Sequence, residues 1–128
     1  MPFTPTDLEF LRAEIQAFAD ERAWERFHTP RNLLLAVMSE LGEAAEIVRW
    51  HGDSDPAIPP ESQAHWNDEI ADVAILLIRL ADRSGVDLGT AIRSKLARAG
   101  EKYPVDRFHG SNRKYNAGAE PGEREGAR

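Results

Sequence analysis

At 128 residues the chain has the length of one compact domain, and with 41% hydrophobic and 30% charged residues it reads as soluble and globular rather than disordered or membrane-bound. The absence of cysteine excludes a disulfide framework, a thiolate metal site and a cysteine nucleophile. A formal net charge of −6 disfavours a nucleic-acid polymer as partner, and an anionic substrate would need a cation to bridge it to the protein.

The opening MPFTPTDLEF shows no basic stretch followed by an apolar run, so no leader peptide and a cytoplasmic location are expected. Four helices and no strand follow. The first is expected over about Thr6 to Ala23, with Thr6 as N-cap, Glu9 completing a capping box, and Leu8, Leu11, Ile15 and Phe18 at helical spacing. The pattern breaks between Trp24 and Pro30. Thr29 and Pro30 then open a second helix, which reaches about Trp50 and carries Leu33, Leu34, Val37, Leu41, Ala44, Ile47 and Val48.

HGDSDPAIPP marks a loop. The third helix is expected from near Glu61 to about Ser84. Its second half, DVAILLIRLA, is apolar on nearly every side but too short to span a bilayer, so no membrane partner is expected. One chain of this size can hardly cover such a helix, which points to a homo-oligomer. Gly85 is the expected C′ residue, and Asp87 caps a fourth helix ending near Lys102. The helical domain is thus placed at 1–105. A polar tail at 106–128 follows, with 106–116 within reach of the site and NAGAEPGEREGAR expected to be flexible.

Chemistry concentrates on the second and third helices. Glu40-Leu41-Gly42-Glu43 and Glu69-Ile70-Ala71-Asp72 each place two carboxylates on one helix face, and two such pairs on antiparallel helices can converge on one point. A single pair of this kind is common on solvated surfaces. Two pairs flanked by apolar residues would be costly unless paired or bound to a metal. An oxygen-only donor set suits a hard cation, Mg²⁺ with Mn²⁺ as a substitute, and suits displacement at phosphorus. Gly42 is expected to permit close approach of a ligand or a helix. Glu46 and Asp68 lie nearby and read as exposed charges or auxiliary ligands. None of the four histidines has zinc-like spacing.

Trp24 and Trp50, with Phe27 and His28, are candidates to stack on and hydrogen-bond a nucleobase, the alternative being that the tryptophans are core anchors. Trp66 is placed at the helix junction or an interface. Arg31 at a helix start, Lys95, Lys102, Arg113 and Lys114 are the cations available to a triphosphate.

Three segments resemble the MazG-like, all-α nucleoside triphosphate pyrophosphohydrolases, most closely their dCTP pyrophosphatase branch, over about residues 6–116. They are ERAWERFHTPRNLLLAVMSELGEAAEIVRW, WNDEIADVAILLIRLADRSGVDL, and SKLARAGEKYPV with a trailing GSNRKY. The resemblance implies a four-helix bundle completed by oligomerisation into a homotetramer built from dimers. It implies Mg²⁺ on Glu40, Glu43, Glu69 and Asp72, a pocket lined by Trp24–His28 and Trp50, and contacts from the Lys95…Tyr103-Pro104 motif. It further implies cleavage between the α- and β-phosphates, in the service of nucleotide-pool cleansing. The chain departs from the branch at Ile15, Leu76 and Ala99, where a His, a Tyr and an Asn are expected. The first two changes remove polar handles on the base. Other readings are a non-enzymatic oligomerisation or partner-binding module, and a dUTPase or phosphoribosyl-ATP pyrophosphohydrolase on the same fold.

Overall fold

The computed structural model describes residues 2–50 and 57–116, and it is all-helical among them. Most of the loop expected at 51–60, and the tail from 117 onward, lie outside the described residues. The chain divides after Leu88 into two compact units. No described helix is long and apolar enough to cross a membrane.

In the first unit, α1 runs over Leu8–Glu21. Its cap is Asp7 rather than Thr6: the Asp7 carboxylate accepts from the Phe10 backbone N–H at 2.7 Å. Both residue types cap well, but only the aspartate adds a negative charge at the positive end of the helix dipole. Glu9, freed from a capping box, pairs with Arg12 at 2.6 Å. The helix ends in a Schellman motif, with Trp24 N–H donating to Ala19 O and Ala23 N–H to Asp20 O, each at 3.0 Å. The C′ position there is held by Ala23 at φ 53°, a left-handed conformation that costs a non-glycine residue about 1 kcal/mol. A 3₁₀ turn, Glu25–Phe27, carries the chain to α2.

Helix α2 spans Pro30–Val48, and Thr29 Oγ1 accepts from Asn32 N–H at 3.2 Å, as expected of the Thr-Pro entry. Helix α3 spans Gln63–Arg83, preceded by a 3₁₀ turn at Pro60–Ser62, and Gly85 closes it in the left-handed conformation. Both α1 and α2 pack on α3. The inward stripe of α2 is Leu33, Val37, Glu40 and Ala44, spaced 4, 3 and 4 apart; three of these are buried and Glu40 is half-buried. A carboxylate therefore occupies a core position.

The second unit begins within α4, Leu88–Lys102, and adds a short α5, Val105–Phe108, beyond the four helices expected. Phe108 is its buried anchor, with Tyr103 edge-on at 4.9 Å.

Candidate functional site

Glu40 and Glu43 on α2 and Glu69 on α3 each bring a carboxylate oxygen within 4.8 Å of the others. Glu69 is 6% exposed, Glu40 half-buried and Glu43 exposed. Glu69 Oε1 takes a contact from His65 Nε2 at 3.0 Å, whereas Glu69 Oε2 and Glu40 Oε2 are buried without a hydrogen-bond partner among the described residues. Two orphaned buried acceptors beside a third carboxylate are what a hard divalent cation would satisfy. Asp72 stands outside this triplet, although it is close enough to Glu40 to disfavour that residue's ionisation. At Gly42 a Cβ would meet nothing within 4 Å, so no neighbour among the described residues requires the glycine.

The Glu40 carboxyl is pushed up to about 7, foremost by desolvation, then by the charge of Glu43 and by the close approach of the Glu69 and Glu43 carboxylates. Without a cation, a proton on Glu40 is how the cluster relieves its own repulsion. A group whose folded pKa is raised stabilises the fold most below its unfolded value of 4.5, and that contribution is lost as pH rises through about 7. In metal-free buffer, Glu40→Gln should therefore flatten the decline in stability between pH 5 and 8, by about 1 kcal/mol after allowance for partial exposure. Thermal unfolding of both proteins across that range checks this.

The aromatic segment lies at the other end of α3. Glu69, Asp72, Leu76, Arg79 and Arg83 follow one another at spacings of 3, 4, 3 and 4 on one face, and at 1.5 Å per residue Arg79 lies about 15 Å along the axis from Glu69. There Arg79, only 3% exposed, donates from Nε to His28 Nδ1 at 3.1 Å and from Nη1 to Asp82 Oδ2 at 3.2 Å. Arg12 on α1 reaches the same Asp82 oxygen at 3.4 Å. Arg83 Nε donates to the His28 carbonyl at 3.1 Å and its Nη1 to Glu25 at 2.8 Å, while Asn32 Nδ2 holds the Phe27 carbonyl at 3.1 Å. Asp82→Ala should leave Arg79 buried without a carboxylate and cost about 2–3 kcal/mol, read as a lowered Tm.

Trp24 and Trp50 are not core anchors among the described residues. Trp24 is exposed and edge-on to His28 at 6.1 Å, Phe27 is exposed, and Trp50 is 77% exposed with Arg49 stacked 4.2 Å over its ring. Trp66 is half-buried and Arg31 is exposed at the start of α2. Sequence reasoning missed Arg79 and Asp82. The available signal was an arginine inside DVAILLIRLA, in register with Glu69 and Asp72.

The remaining candidates belong to the second unit. Tyr103 and Lys114 line a cavity of about 660 Å³ together with Phe108, His109, Asn112 and Arg113. Lys102 Nζ lies 5.1 Å over the Tyr115 ring, and Lys95 borders an apolar groove with Ile92, Leu96 and Ala99.

The chain is similar to known proteins. Residues 39–117 match the model of the MazG-like family. The chain is 46% identical over 115 residues to dCTP pyrophosphatase 1 of Mus musculus and 44% identical to that of Homo sapiens. Each match covers 88% of this chain and 66% of the relative, so the chain spans just under two thirds of their length. A pyrophosphatase from Archaeoglobus fulgidus, solved by crystallography, superposes with a TM-score of 0.72 at 30% identity, over 81% of this chain and 98% of that one.

Proposed function

Because the chain belongs to the MazG-like family, we propose that it is a Mg²⁺-dependent nucleoside triphosphate pyrophosphohydrolase that converts a (d)NTP and water to a (d)NMP and diphosphate. The observation that carries this reading is the carboxylate cluster, with the Oε2 atoms of Glu40 and Glu69 buried and unpartnered. Glu40, Glu43 and Glu69 would hold the cation, with Asp72 one turn further along α3 as the fourth ligand. When bound, Mg²⁺ supplies neutralisation of phosphate charge and a lowered pKa for the attacking water. A carboxylate of the cluster accepts the proton that this water releases.

The exposed faces of Trp24, Phe27 and Trp50 stack on the base, and His28 hydrogen-bonds its edge. Arg31, Lys95, Lys102, Tyr103 and Lys114 are the further substrate contacts. A dCTP or modified dCTP is the preferred substrate, in keeping with the named activity of the mouse and human relatives. The role is nucleotide-pool cleansing, in a homotetramer.

A pyrophosphate-release assay over the canonical and several modified nucleotides, with and without Mg²⁺, tests the proposal. Release from dCTP is expected to be fastest; no metal-dependent release from any nucleotide would defeat the reading. Trp50→Ala should raise KM about tenfold or more with little change in Tm, since so exposed a side chain contributes little packing. Loss of the fold instead would return Trp50 to a structural role.

A further inference from the structure

We propose that Arg79 is a positioning residue that fixes the tautomer of His28, so that this imidazole offers an uncharged Nε2–H donor to an acceptor atom on the substrate's base. The proposal rests on reading the chain as a nucleotide hydrolase, and it assigns a role to a buried cation that this reading leaves unexplained.

A guanidinium has donors only. Since Arg79 Nε faces His28 Nδ1 at 3.1 Å, that nitrogen must present its lone pair, and the imidazole proton resides on Nε2. An imidazolium could not accept this bond. Burial first, then the charges of Arg79 and Arg83, push the His28 pKa below its usual value, so the ring stays neutral at neutral pH. Nε2 has no hydrogen-bond partner among the described residues, while everything behind it is fixed. Arg83 holds the His28 carbonyl, Asn32 the Phe27 carbonyl, and the Trp24 ring stands edge-on to the imidazole. Such a donor is pre-organised before substrate arrives.

Stability alone does not account for Arg79. A buried ion pair is commonly no better than apolar packing, and the Asp82 carboxylate that Arg79 uses is already shared with Arg12. Position does account for it. Arg79 stands on the same α3 face as Glu69, about 15 Å along the axis, a separation that a nucleotide with its phosphates at the cluster can span. Leu76, one turn before Arg79 on that face, has no polar atom, which leaves the histidine as the polar handle.

The test uses the full chain. Nitrogen-resolved NMR of the native imidazoles should show His28 as the Nε2–H tautomer at pH 7, and its Nε2 resonance should move on adding the non-hydrolysable α,β-methylene dCTP with Mg²⁺. Arg79→Met should mix the tautomers and raise KM about tenfold, with kcat within about threefold of native. Arg79→Lys, which keeps a donor, should restore most of the KM. His28→Asn preserves an acceptor for Arg79 but withdraws the distal N–H, so it should raise KM equally while the Tm stays near native. A native His28 found as the Nδ1–H tautomer or as an imidazolium, an unmoved Nε2 resonance, or an unchanged KM in His28→Asn would overturn the proposal. If Arg79→Met fails to fold, the native spectra and the His28→Asn kinetics decide the matter alone. Absence of pyrophosphate release by the native protein would defeat the catalytic reading instead, and the spectra, which need no turnover, still judge the pairing of Arg79 with His28.

Discussion

Glu43→Ala and Asp72→Ala should each reduce pyrophosphate release by about 10³-fold or more, while circular dichroism and the metal-free Tm remain native. Both side chains are exposed, so neither truncation opens a cavity. Removing Glu43 also removes a charge that disfavours ionisation of Glu40, so the metal-free fold should be no less stable. On the proposed reading the loss is one of affinity for the cation, because an oxygen-only site with one carboxylate fewer would hold Mg²⁺ less tightly. Calorimetric titration should show Mg²⁺ binding to the native protein and none to Glu43→Ala at the same concentrations. Glu69→Ala is the poorer test, because truncating a buried residue mixes packing with chemistry. Turnover by Asp72→Ala near the native rate would restrict the ligands to the three glutamates that converge in the structure.

Local signals and long-range ones differed in how far they could be read. The Thr29-Pro30 entry and the Gly85 exit are set by capping chemistry within a few residues, and both stand where the spacing put them. Thr6 and Asp7 compete for one cap on nearly equal terms, and the first helix starts one residue later than expected. The left-handed Ala23 carries no sequence signal, because alanine has no preference for that conformation; the six-residue hydrogen-bonded closure around it fixes it instead. The short helix over Val105–Phe108 is beyond any periodicity argument, being barely one turn long.

The site shows the same division. Pairing of Glu40 with Glu43 is a matter of helical spacing and was legible. Their convergence with Glu69 needed only that two consecutive helices pack antiparallel. The orphaned oxygens, and the exclusion of Asp72 from the tightest triplet, depend on side-chain geometry that spacing does not carry. Arg79 was illegible for a stronger reason. Its partner His28 is 51 residues away in sequence, and the Arg12–Asp82 contact that completes the network spans 70. An arginine inside an apolar run reads as an interruption until the tertiary fold supplies its acceptors.

If the proposed homotetramer forms through the exposed apolar face of α2, Met38→Asp should break it into smaller species, seen as a fall in sedimentation coefficient and a Tm that no longer rises with protein concentration. Leu34, Met38 and Leu41 recur at 4 and 3 residues on a face of α2 about a quarter-turn around the helix from the Leu33–Val37–Ala44 stripe; each is exposed, Met38 at 62%. On α3, Ile70 and Leu77 stand two turns apart and are exposed as well. Already about half covered, each such side chain gains roughly 1 kcal/mol on completing its burial. Five of them together represent roughly 5 kcal/mol, the lower end of the net stability of a small domain. That is the physical content of the over-apolar third helix: the excess lies beyond what the chain's own helices cover. An aspartate at position 38 would have to enter such an interface desolvated and unpaired, which is among the costliest substitutions available. Native-size particles from Met38→Asp would show that this face of α2 is not where the copies meet.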